Sequence, residues 1–147
     1  MKKLIASLGI LMALGIALWV SAQSSSFKVV VHPDNPATSM SAKDVSRYLL
    51  KKVTRWNEGG FSEAVSPIDL DSKSPIREAF SKEVHGRSAA SIESFWNRQI
   101  FSGENVPPPE AASDADVVAH VRSTRGAIGY VSADANASGV KVVALAP

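Results

Sequence analysis

The chain contains no cysteine, which rules out a disulfide framework, a thiolate metal site and a thiol nucleophile. Histidine is almost as scarce. His32, His85 and His120 are the three present, too far apart to put two imidazoles on one helix face as a zinc-binding H-x-x-x-H requires. Neither a G-x-S-x-G elbow nor a phosphate-cradling G-x-x-x-x-G-K occurs. Ser25 and Lys28 have S-x-x-K spacing but no S-D-N or K-T-G partner. Asp69-Leu70-Asp71 opens like a cation loop, yet Phe80 stands where calcium needs a bidentate glutamate. The expectation is a protein that is not an enzyme and holds no metal or cofactor.

Charge imbalance is also lacking. The 16 Lys and Arg residues face 14 Asp and Glu, and two of the basic residues are Lys2 and Lys3, so the remainder balances at 14 against 14. No whole-molecule field draws such a chain onto nucleic acid or an anionic membrane, so any contact with the membrane is expected only through a partner protein.

What is present begins with an export signature. Lys2-Lys3 precede an apolar run from Leu4 to Val20, and Val20-Ser21-Ala22 offers small residues at a cleavage position. Residues 1–22 are expected to be a removed signal peptide, and 23–147 one periplasmic domain with a single hydrophobic core.

Periodicity then predicts alternating strands and helices. Phe27 to Val31, with three consecutive valines, suits a strand buried on both faces. Ser41 is a good N-cap for a helix carrying Val45, Tyr48, Leu49 and Val53 on one stripe. Asn57-Glu58-Gly59-Gly60 marks a turn, and Ala64 to Ile68 reads as a short strand. Ser74-Pro75 pairs a capping hydroxyl with proline at the first helical position, ahead of Ile76, Ala79, Phe80 and Val84. Ser88 caps a helix with Ile92, Phe95, Trp96 and Ile100 inward, and Ser113 one with Val117, Val118 and Val121 inward. Ala127 to Val131 and Val140 to Leu145 close the set as strands. This order predicts an α/β domain with a mostly parallel sheet.

The junction from Asp69 into the Ser74 helix is the candidate binding site. A helix start offers free amides and a positive dipole end, and Ser72, Lys73, Ser74 and Arg77 add hydroxyls and charge within one turn. Arg125 and Gly126, at another turn, are expected to contribute from a neighbouring strand end. The competing reading is that Ser74 only caps the helix while Lys73 and Arg77 are solvated.

Several motifs resemble the phosphate ABC-uptake type of periplasmic substrate-binding protein, within the class II periplasmic binding-protein fold. Met40 to Val45 with Trp56-Asn57-Glu58-Gly59-Gly60, the Ser74 to Phe80 helix, and Arg125-Gly126-Ala127-Ile128-Gly129-Tyr130-Val131 carry the resemblance. Phe95-Trp96-Asn97 with Ile100 to Gly103 and Pro107-Pro108 resembles its short, single-domain members. The resemblance implies a single lobe that binds a small anion, phosphate first, for an ABC permease or a sensor. Pro75 and Ile76 stand where the family has Gly and Thr, and Leu70 and Ser72 where it has Arg and Asp. Pro75 lacks an amide donor and Ile76 a hydroxyl. The alternative is an interaction or structural module of an envelope assembly that has lost solute binding.

Overall fold

The computed structural model describes residues 25–147; the expected signal peptide lies outside them. Phe27–Val31 forms β1, ended by the His32-Pro33 step. Ser39–Ser41 forms β2, and Ser41 then caps α1, Ala42–Leu49, by accepting from the Asp44 N–H. Val45, Tyr48 and Leu49 are its buried stripe, whereas Val53 packs on the core from beyond the helix end.

Ser66–Pro67 (β3) and Asp69–Leu70 (β4) follow. Pro75–Phe80 is α2, six residues long. It runs into a π-helical turn, Ser81–His85, closed by Gly86 at φ 68°. Ala89–Ser102 is α3, Glu110–Ala111 β5, Asp114–Ser123 α4, Ala127–Ser132 β6 and Lys141–Ala146 β7.

The main sheet has the order β2-β7-β1-β6-β3. β2 is parallel to β7 and β3 to β6, while β1 is antiparallel to both β6 and β7. Four strands therefore share one direction, and β1 alone runs against them. The sheet is mixed, a detail the valine run of β1 does not encode, because a strand buried on both faces reads alike in either direction. The strand read over Ala64 to Ile68 divides. Ser66–Pro67 pairs with β6, and the chain then crosses to pair Asp69–Leu70 with β5.

Both sheet faces are covered. On one, Phe80 stacks flat on Tyr130 at 3.7 Å between ring centroids and Phe27 meets Phe80 edge-on at 5.2 Å. On the other, Val117 of α4 sits so close to Gly129 that an added Cβ would lie 2.9 Å from it. A smaller cluster of Leu50, Ile92 and Trp96, flanked by Phe95, attaches α3. Ile100, expected inward, is 51% exposed because α3 outruns the surface it packs on, and Phe101 beside it is 96% exposed. Among the described residues no helix is long and apolar enough to cross a membrane.

Candidate functional site

The Ser74 corner is where strand β4 delivers the chain into α2. Ser74 Oγ accepts from the Ile76 N–H at 3.2 Å, so the hydroxyl acts as the helix cap. The preceding turn is organised by Asp71. Its carboxylate accepts from the Lys73 N–H at 2.8 Å and its carbonyl from the Ser74 N–H at 2.9 Å. Ser72 and Lys73 are exposed. Asp71 thus takes two amides of this turn, the Lys73 N–H with its carboxylate and the Ser74 N–H with its carbonyl.

Arg77 departs from both sequence expectations. Its side chain is 7% exposed and turns inward, where Nη1 donates to the Leu70 carbonyl at 3.0 Å and to Glu110 Oε1 at 2.6 Å. Nη2 lies 3.7 Å from Asp69 Oδ2. Tyr130 donates its hydroxyl hydrogen to Asp69 Oδ1, which also accepts from the Leu70 N–H at 3.1 Å. The result is a network of a buried guanidinium, carboxylate and phenol, Arg77, Asp69 and Tyr130, joined at its rim by the half-exposed Glu110 carboxylate. Burial pushes the Asp69 carboxyl above its usual range, against the pull of Arg77. Burial and the adjacent Asp69 together push the Tyr130 phenol far up, so it stays a donor. Burial would lower the Arg77 guanidinium, but Asp69 and Glu110 outweigh it and hold the charge on.

Arg125 and Gly126 lie elsewhere. They precede β6, whereas the Ser74 corner lies toward that strand's far end, a run of roughly 17 Å at about 3.3 Å per residue. The two groups expected to cooperate are not brought together. Arg125 bridges Asp34 at 3.4 Å and Glu63 at 3.3 Å and lies over the Phe61 ring, on the wall of an open cleft of about 400 Å³ shared with Pro36 and Gly59. Gly126 serves packing: its carbonyl accepts from Trp56 Nε1 at 2.8 Å and the Ser66 N–H at 2.9 Å.

A serine and a histidine do meet. Ser46 Oγ is 2.8 Å from His85 Nδ1. Burial, with Arg87, Arg77 and Lys52 adding to it, pushes the imidazole down to about 4, too weak a base at neutral pH to activate a hydroxyl. The neighbouring gap, lined by His85, Ser81 and Ile92 among others, has no room for a water molecule. Among the described residues no group of three His, Asp or Glu side chains could hold a metal ion.

Asp69, Glu110 and Tyr130 were not foreseen as partners of Arg77. A signal for its burial existed. Arg77, Phe80 and Val84 fall at i, i+3 and i+7, so the arginine shares the phase of the apolar stripe.

The fold has solved counterparts. An ABC-type phosphate transport receptor from Vibrio cholerae matches with a TM-score of 0.63 at 16% identity, over 80% of this chain and 45% of that one. A structure from Clostridium perfringens assigned as a phosphate ABC transporter substrate-binding protein, solved with bound phosphate, matches at 0.62 and 21% identity, over 80% of this chain and 44% of that one. PstS from Borrelia burgdorferi gives 0.58 and 18%, over 82% and 47%. This chain therefore spans less than half the length of each. No curated protein matches. The family model described as a PBP superfamily domain matches residues 20–145, and the chain belongs to that superfamily.

Proposed function

We propose that this protein is an exported, non-catalytic binding lobe that works by docking to a partner in the cell envelope, and that it does not hold phosphate tightly by itself. The observation that carries this is Arg77. The strongest cation at the expected anion corner is turned inward and satisfied by Asp69, Glu110 and the Leu70 carbonyl. Asp71 takes the turn amides, and Ser74 is spent on its cap. An entering phosphate would have to break these charge-assisted bonds before making its own. Export is inferred from the Lys2-Lys3 start, the Leu4 to Val20 run and the Ala22 cleavage position.

A second reading keeps phosphate or a similar small anion as ligand, for ABC uptake or sensing. It is favoured by the phosphate-transport identity of the solved counterparts and by the exposed Ser72 and Lys73 at the start of α2. Calorimetry on the chain from Gln23 separates the two. Phosphate or sulfate at millimolar concentration is expected to give no saturable heat. Micromolar binding that is lost in Ser74→Ala would replace the docking reading with the solute-binding one.

A further inference from the structure

We infer that Arg77 is a masked oxyanion-binding group, with the Glu110 carboxylate as its built-in competitor, displaceable by a carboxylate or phosphate from outside. This deepens the docking reading and rests on it: an oxyanion is the chemistry a partner would present to this corner.

The two carboxylates on Arg77 are held very differently. Asp69 is 8% exposed and fixed by the Tyr130 hydroxyl and the Leu70 N–H, so it is the partner held in place. Glu110 is 45% exposed and reaches Arg77 through a single oxygen, Oε1, at 2.6 Å. Its second oxygen makes no hydrogen bond among the described residues. The backbone beneath does not depend on that side chain. The Asp69 N–H donates to the Pro109 carbonyl at 3.0 Å and the Asp71 N–H to the Ala111 carbonyl at 2.9 Å, which pins β5 to β4 whatever Glu110 does.

Charge and volume both permit exchange. One guanidinium faces two carboxylates, so swapping Glu110 for one external monoanion leaves the local charge unchanged. Truncation of Glu110 to alanine removes a CH2–COO⁻ group, the size of acetate. In the wild type the tethered carboxylate acts at an effective concentration on the order of millimolar or above. Free anions below that level do not compete, so the intact chain is expected to be silent toward them.

The test is chemical rescue. Thermal unfolding of wild type, Glu110→Ala and Glu110→Gln is followed in acetate, phosphate and chloride at equal ionic strength, with amide NMR shifts of Leu70, Asp71 and Ala111 as a local readout. Glu110→Ala is expected to melt below wild type in chloride and to regain stability with millimolar acetate or phosphate, shifting those three amides. Its apparent affinity should exceed that of wild type at least tenfold, and Glu110→Gln, whose amide still fills the space, should not respond. Rescue by acetate alone assigns the place to a partner carboxylate, and rescue by phosphate alone to a phosphate group; either supports the inference. A Glu110→Ala chain that answers acetate and phosphate no better than chloride, or a Glu110→Gln chain that answers equally well, overturns it. The docking reading fails separately, on micromolar phosphate binding by the wild type.

Discussion

A methyl group added at Gly126 would lie 1.8 Å from the Ala64 carbonyl oxygen and 3.0 Å from its carbon. Both obstacles are backbone, so no rotamer change relieves them, and the Gly126 carbonyl is itself tied to Trp56 and Ser66. Gly126→Ala should therefore cost about 3 kcal/mol, at the upper end of overpacking effects. Urea denaturation measures it, and a loss under about 1 kcal/mol would show that the crossing of the two segments is looser than described. The Arg-Gly pair is conspicuous in the sequence, but its duty is not. Residue 64 passes across residue 126 only in the folded chain, and no local pattern records that approach. Arg77 carries two signals. Its position at a helix start suggests an anion contact or a solvated cation, while its phase with Phe80 and Val84 points inward, and the second prevails because Asp69 and Glu110 supply the countercharge a buried arginine needs.

Helix starts were the most legible elements, since a cap is a local event. Ser41, Ser74, Ser88 and Ser113 each accept a hydrogen bond from the first turn they precede. Strands β2 and β5 were not legible. Three and two residues long, they exist only through pairing with β7 and β4, far along the chain. The π-helical turn at Ser81–His85 likewise left no mark in the hydrophobic period, although it places His85 against Ser46 of α1 and edge-on to Phe80 at 5.4 Å. That placement has a pH signature. Burial, then Arg87, Arg77 and Lys52, pushes the folded imidazole down to about 4, against about 6.5 in the unfolded chain. The unfolded state binds the proton first, so the stability tied to neutral His85 is complete above about pH 6.5 and drains away as pH falls toward 4, by about 3 kcal/mol at most. Asp69, held above its usual range by burial, acts in the opposite sense as acid is added. The comparison is therefore between wild type and His85→Gln. Their difference in unfolding free energy should shrink between pH 7 and pH 4, and a difference independent of pH would place His85 in water.

At the scale of the whole molecule, stability is unevenly distributed. The sheet, α1, α2, the π-helical turn and α4 share one core in which Val30, Val31, Trp56, Val117, Ile128 and Tyr130 are fully buried. α3 contributes Ile92 and Trp96 to a separate cluster completed by Leu50, and its last turn carries the exposed Ile100 and Phe101. Fourteen residues of helix are thus held mainly by their first two turns. Few buried contacts mean a low free energy of local opening, whereas the central strands open only when everything does. Native-state hydrogen exchange with increments of urea reads this directly. Amides of Ile100, Phe101 and Ser102 should exchange through small fluctuations almost insensitive to urea. Those of Val30, Ile128 and Tyr130 should exchange at the global free energy with the full denaturant dependence. The opposite pattern, with the end of α3 protected as strongly as Val30, would mean that its apolar tip is covered in solution, and the exposed Phe101 would then belong to an interface already formed between copies of this chain.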